Sequence, residues 1–444
     1  MRPIGIDLFA GAGGLSLGFE QAGFDVVAAV EIDPVHAAVH QFNFPNCAVL
    51  AQSVSKLTAD KIRNAAGIGS SNVDVVFGGA PCQGFSMIGQ RVLDDPRNSL
   101  VRDFVRIVCE LDASYFVFEN VKGLTVGKHR QFLDELIALF ESKGYEVRLP
   151  WKVLDSADFG VPQHRERLIL MGAKKGYPLS NYPTPICSPA DAKKPNGSLP
   201  TGPDAQAALG DLPDAEAFET LNLTDEVVTD AWSEASPYAR EMRCLDNDAW
   251  HFGHVRSWKP NLLTSSARTS HTAISRARFA ATSPGTVEPI SRFYKLAPHG
   301  LSNTLRAGTD GARGAFTSPR PIHYKYNRCV TVREMARLHG FPDWFRLHET
   351  KWHGARQIGN AVPPPLARAI AAQVINAMGI QPIRPNKVVE LGNVELLRMD
   401  LSTASRHHGV LPPPSRRDRK SGARKRTQAE TEAWRLEQFE IAPA

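Results

Sequence analysis

Several short stretches of this 444-residue chain carry side chains able to do chemistry. The first is GGAPCQGFS (78–86), in which Pro81 stiffens a loop and glycines clear space around Cys82, so that a thiol could face a substrate. A thiolate is an intrinsically good nucleophile, although cysteine alone reads as readily as a buried apolar residue. The second is DLFAGAGG (7–14), whose glycines let backbone N–H groups approach a ligand, followed eighteen residues after Gly13 by Glu31. A glycine turn and then an acid at the end of the next strand suit a nucleoside-bearing cofactor, with the carboxylate on ribose hydroxyls; NAD and S-adenosylmethionine fit these features equally. FENV (118–121) offers Glu119, QHRERL (163–168) offers Arg165 and Arg167, and QIGNAVPPPLARAI (357–370) begins polar and turns helical.

These stretches need a scaffold that brings them together. Strands are expected at IGIDL (4–8), VVAAVE (26–31), VDVVFGG (73–79), SYFVFEN (114–120) and RLILMGA (167–173), with helices at 14–22, 99–111 and 130–143. Such alternation implies βαβ units and a mostly parallel sheet covered on both faces, which binds ligands beyond the carboxyl ends of its strands. The first, second and third motifs all begin at such ends. After about 176 the periodicity is lost, and helices are expected again at 330–341 and 362–378, the latter entered through prolines. Beyond 380 the chain reads as peripheral, and SRRDRKSGARKRT (415–427) as disordered.

Composition bounds the rest. With 42% hydrophobic and 22% charged residues, the chain has the balance of a globular protein. No run approaches the ~18 apolar residues that span a bilayer. The N-terminus lacks a secretory cleavage pattern, so a cytoplasmic location is expected. Six scattered cysteines without a CxxC pair argue against a disulfide framework or structural metal. The net charge of +6 is unevenly placed: residues 201–250 hold twelve acids against two bases, and 251–330 hold twelve bases against two acids. The basic stretch is expected to meet nucleic acid, with Arg268, Arg276, Arg278, Arg306 and Arg313 as candidates.

In order and spacing, DLFAGAGG, PCQGFS, ENV, QxRxR and GNAVPPPLA resemble the DNA cytosine-5 methyltransferase family, as does PRPIHYKYNRCVTVREMARLHGFPD (319–343). The resemblance covers about 1–175 and 319–378. It implies an α/β fold, a class I S-adenosylmethionine-dependent (Rossmann-like) methyltransferase domain with a smaller target-recognition domain. The domains would be 1–175 for catalysis and cofactor, 176–343 for target recognition, 344–380 for a closing helix beside the glycine loop, and 381–444 for a peripheral basic tail.

The resemblance makes Cys82 the nucleophile that adds to C6 of cytosine and turns C5 into an enamine carbon able to take a methyl group. It makes Glu119 the group at N3 and the exocyclic amine, and Arg165 the cation at O2, with Arg167 in support. It places S-adenosylmethionine among Phe9, Gly11, Gly13, Leu15, Glu31, Ile32, Pro81, Leu100, Asn360 and Val362. Where relatives carry an aspartate for the adenine amine, this chain has Ser53. The target base would be swung out of duplex DNA by a monomer; the setting resembles restriction–modification with a cognate restriction endonuclease, and a solitary methyltransferase fits equally well. An RNA methyltransferase has the same motifs but a smaller middle region than the roughly 140 residues found here. A catalytically inactive DNA-binding regulator would be expected to have lost Cys82, Glu119 or Arg165.

Overall fold

A computed structural model describes residues 2–81, 98–125, 129–309 and 317–411. Its centre is an eight-stranded sheet of β1 (Ile4–Leu8), β2 (Asp25–Val30), β3 (Ala48–Leu50), β4 (Val75–Gly78), β5 (Tyr115–Val121), β6 (Tyr145–Val147), β7 (Lys152–Asp155) and β8 (Glu166–Lys174). The order is β3-β2-β1-β4-β5-β8-β6, with β7 also on β8. The strands from β3 to β5 are parallel, and β8 runs antiparallel to β5, β6 and β7. The order reverses between β1 and β4, which opens a crevice at their carboxyl ends. The glycine loop and Pro81 sit there.

Period-two alternation divides the strand residues between two apolar layers. Val76, Phe116 and Phe118 face α4 (Ser99–Glu110) and α5 (His129–Ser142), and Phe116 stacks on Phe140 at 3.8 Å. On the other face Phe77, Tyr115 and Val117 meet α1 (Gly14–Ala22), and Phe19 stacks on Phe77 at 3.7 Å. Two helices absent from the sequence reading, α2 (Pro34–Asn43) and α3 (Ala59–Ala66), complete the crossovers; Asp33 and Thr58 cap them by accepting backbone N–H groups.

The middle of the chain holds short elements only: α6 (Ala205–Leu209), α7 (Pro237–Met242) and α8 (Ala273–Ala281). Apart from a small cluster of Phe279, Ile322 and Cys329, its apolar residues do not form a core of their own. Leu209, Leu221, Tyr238, Trp250 and Leu296 belong to the same apolar cluster as α1, α9 (Val332–Leu338) and α11 (Pro364–Ala377). Between these last two lies α10 (Lys351–Asn360).

Carboxylates of the acidic stretch pair with arginines of the basic stretch and of the segment that follows it. Arg276 pairs with Glu216, Arg328 with Asp214 at 3.1 Å, Arg337 with Asp211 at 3.0 Å and Arg346 with Glu226 at 2.6 Å. Within the basic stretch Arg278 pairs with Glu288 at 3.2 Å, while Arg256 reaches back to Glu20 at 2.8 Å. The expectation of five arginines on DNA therefore changes. Arg276 and Arg278 hold the fold, Arg306 is exposed, Arg268 is half-buried, and Arg313 lies outside the described residues. The peripheral tail also begins later than 381. Val389 and Glu390 pair with Arg256 and Ser257, and Leu396 and Leu397 are buried against Val39 and Phe42 of α2, because apolar side chains spaced along this segment cover an apolar helix face. The basic run at 415–427 lies outside the described residues. Among the described residues no helix is long and apolar enough to cross a membrane.

Candidate active site

The turn after β1 is a cradle of backbone. Phe9, Gly11 and Gly13 all have positive φ (68°, 55° and 106°). Glycine adopts this freely, but Phe9 does so at a cost that tends to mark functional turns. A Cβ on Gly11 would meet nothing within 4 Å, so open space lies above that peptide. Glu31, just beyond β2, is 9% exposed and accepts the N–H groups of Gly11 and Asp33, each at 2.8 Å. Burial lifts its pKa, opposed by His36 and by those N–H groups. A buried carboxylate fixed by two backbone donors beside an open glycine turn fits a ligand carrying a nucleoside. Ile32, next in sequence, is 62% exposed, an apolar surface free to cover a base.

The other cofactor candidates lie at the following places in the fold. Gly14 and Gly18 let α1 touch the chain before and within α11: a Cβ on Gly14 would lie 2.5 Å from the Val362 carbonyl oxygen. Val362 is buried, Asn360 is the exposed last residue of α10, and Leu15 is buried in α1. Pro81 is exposed at the end of β4, and Leu100 is half-buried in the first turn of α4. Ser53 turns its hydroxyl to the Ser55 N–H at 3.4 Å. Cys82 lies outside the described residues.

Opposite the glycine turn, β5 and β8 present the acid and the arginines. Glu119 pairs with Ile169 across the ladder and Val121 with Arg167, so Arg167 sits diagonally from Glu119 on one face, within reach of long side chains. Arg167 Nε lies 2.7 Å from Glu119 Oε1, and each side chain is 12% exposed. The other carboxylate oxygen lies over Gly79, where any Cβ would strike it. Asn120 donates its amide to the Ala80 carbonyl at 2.9 Å, which ties β5 to the loop carrying Pro81.

Arg165 is more deeply buried than Glu119 and Arg167. It is 1% exposed and donates to the carbonyls of Leu305 at 3.1 Å and Gly359 at 2.9 Å, and its Nε has no partner among the described residues. Burial, then the charge of Arg167, push it down to about 9, with Glu119 opposing. It lies one residue before β8, with its guanidinium on the backbone of residues 305 and 359 rather than on Glu119.

Gln163 was missed as a positioning group, although it belongs to a recognised motif. It accepts the Leu305 N–H at 2.9 Å and meets His339 at 2.9 Å. His339 lies within the block 319–343 that carries the family resemblance, but nothing there singled it out. Asp7 is also fully buried, bonded to Ser16 at 2.6 Å, and burial raises it to about 8.

Residues 4–376 match the family described as C-5 cytosine-specific DNA methylase. The chain belongs to that family. It is therefore a DNA cytosine-5 methyltransferase, and the family and fold carry S-adenosylmethionine-dependent methyl transfer with them. Type II methyltransferase M.XorII of Xanthomonas oryzae pv. oryzae is 56% identical over 409 residues, 92% of this chain and 93% of that protein. Type II methyltransferase M1.HphI of Haemophilus parahaemolyticus is 35% identical, covering 83% and 86%. A crystal structure described as a DNA modification methyltransferase encoded within an E. coli prophage superposes with a TM-score of 0.67 at 31% identity, over 85% of this methyltransferase and all of that chain. The S. pombe Dnmt2 methyltransferase structure, with a TM-score of 0.50 at 15% identity over 86% of this chain and all of that one, shares the fold.

Proposed function

We propose that this methyltransferase modifies a cytosine flipped out of a specific duplex sequence, through a covalent bond between Cys82 and C6. The observation that supports it most is the convergence of four strand ends: the glycine turn after β1, Glu31 after β2, Pro81 after β4, and the Glu119–Arg167 pair across β5 and β8. Bound at the glycine turn, S-adenosylmethionine supplies an electrophilic methyl group. Glu31 would hold the ribose, Ile32 the adenine face, and Phe9, Gly11, Gly13, Leu15, Leu100, Asn360 and Val362 the rest of the pocket.

The chain's own residues then divide the work. The Cys82 thiolate adds to C6, and the displaced electron pair moves onto N3 and O2. Glu119 delivers a proton to N3 and accepts from the exocyclic amine. In this reading Arg167, bonded to Glu119, faces the charge growing at O2, and Arg165 holds the wall behind it. Donors fixed before the reaction stabilise developing charge without reorganising, the largest single effect at many active sites. The C5 carbon takes the methyl group, the C5 proton leaves, and the thiolate is eliminated to restore the ring. Target recognition falls to residues 176–343. By analogy with the Type II naming of its relatives, the enzyme would protect DNA against an endonuclease that reads the same sequence.

The decisive experiment is a duplex with 5-fluorocytosine at the target, incubated with S-adenosylmethionine. Fluorine at C5 blocks the proton loss, so the wild type should form an adduct that survives denaturation. Cys82→Ser should form none. Turnover on ordinary DNA without an adduct on the fluorinated duplex would overturn the covalent route.

A further inference from the structure

His339 is fully buried, follows α9, and has no part in the chemistry above. Its Nδ1 lies 2.9 Å from Gln163 Nε2 and its Nε2 lies 3.1 Å from the Ala361 carbonyl oxygen. The Gln163 amide is oriented by its own acceptor bond from the Leu305 N–H at 2.9 Å, so its nitrogen faces the ring and donates. Ala361 can only accept. The imidazole is therefore the neutral Nε2–H tautomer, accepting at Nδ1 and donating at Nε2. Burial, then the charge of Arg165, keep it neutral by holding its pKa well below the ordinary value.

The bonds form one chain: Leu305 N–H to Gln163, Gln163 to His339, His339 to the Ala361 carbonyl. Beside it, Arg165 donates to the carbonyls of Leu305 and Gly359. Both groups of the Leu305 residue and the carbonyls flanking Asn360 are thus held by one cluster. Gly359 has no side chain because a Cβ would run into the Arg306–Ala307 peptide; the two backbone segments touch directly. One segment leads to exposed Arg306 and the other to Asn360 and Val362.

We infer that His339 is a positioning residue that couples the cofactor segment 360–362 to segment 305–307, whose exposed Arg306 is read as a DNA contact. This inference rests on the reading of Asn360 and Val362 as cofactor contacts. Filling the cofactor pocket fixes Ala361, the imidazole passes that order to Gln163 and Leu305, and Arg306 is presented to DNA in one arrangement. Coupling of this kind is reciprocal: DNA must tighten cofactor binding by the factor by which cofactor tightens DNA binding. A leucine at 339 would fill the space but leave the Ala361 carbonyl unpaired and the Gln163 amide nitrogen with only its longer bond to the Leu338 carbonyl at 3.4 Å, whereas glutamine retains a donor and an acceptor.

The test measures S-adenosylhomocysteine affinity with and without a duplex carrying the site that the wild type methylates. The wild type should bind more tightly when DNA is present. His339→Leu should cut that enhancement by about fivefold or more, the lower end of usual coupling, while affinity without DNA stays within about twofold. His339→Gln should restore most of it, and Gln163→Leu, in the same chain, should behave like His339→Leu. An enhancement unchanged in both leucine variants, or a glutamine variant no better than leucine, would reduce His339 to packing and overturn the inference. Glu31→Ala separates the failures: if it leaves S-adenosylhomocysteine binding intact, the cofactor assignment itself is wrong.

Discussion

Glu31 is the carboxylate on which the cofactor assignment turns, and its removal has a calculable signature. In the structure each oxygen accepts one backbone N–H at 2.8 Å, from Gly11 and from Asp33. Remaining lone pairs are free to accept from ribose hydroxyls. A hydrogen bond to a charged acceptor contributes roughly 1.5–3 kcal/mol, and each ~1.4 kcal/mol is a factor of ten. Losing one net ribose bond in Glu31→Ala should therefore weaken S-adenosylhomocysteine by about ten- to a hundredfold by calorimetry. Stability should move less. The mutation frees two buried N–H groups, but it also removes a carboxylate whose burial raises its pKa and so disfavours its charged form. Single-turnover transfer at saturating cofactor should change by a smaller factor than affinity, since Glu31 is remote from the Glu119–Arg167 pair. Unchanged affinity, or a chemical step impaired more than binding, would refute the placement of the ribose.

Glu119→Gln keeps the shape and one acceptor but cannot deliver a proton to N3; single-turnover methylation should slow by roughly 10²–10³, and a near-normal rate would remove Glu119 from the chemistry. Neutralising Arg306 should lower DNA affinity and reduce the salt slope by about one unit, whereas Arg276→Ala, which breaks the pair with Glu216, should lower the unfolding midpoint with the slope unchanged; anisotropy titrations across salt and thermal melts distinguish them. Asp7 is raised from 3.8 to about 8 by burial, so its protonated form contributes stability that is complete below about pH 4 and lost as pH rises through about 8. Asp7→Asn, neutral throughout, should flatten that part of the urea-midpoint profile, and parallel profiles would show that Asp7 is not buried as described.

Much of the scaffold was legible because it depends on local pattern. Strands such as IGIDL at 4–8 and the helix at 14–22 coincide with β1 and α1 because apolar runs and a glycine at each helix end leave little alternative. β3, β6 and β7 escaped because three or four residues hold too little alternation to stand out. The different placement of Arg165 and Arg167 was not legible for a different reason. It depends on β8 running antiparallel to β5, which places position 167 diagonally across from Glu119 and carries position 165 off the sheet edge. Nothing in QHRERL encodes its partner strand. His339 is similar: its meaning lies in Gln163 and Ala361, far away in sequence.

The charge pattern shows how a sequence signal can be real and still mislead. An acidic stretch followed by a basic one reads as an open cationic surface if each is taken alone. Folding brings them together, because arginines buried beside the shared core need carboxylates to offset the loss of water. Beyond the basic stretch, Arg337 is the extreme case of such burial, held between Asp211 and Asp343. Arg328 between Glu334 and Asp214 is another: burial raises the Glu334 pKa, yet the arginine's charge outweighs it and holds that carboxylate at about 2. Among the described residues Arg306 is exposed beside Gly359 and has no carboxylate pair, which is why it, rather than Arg276 or Arg278, is proposed as the DNA contact.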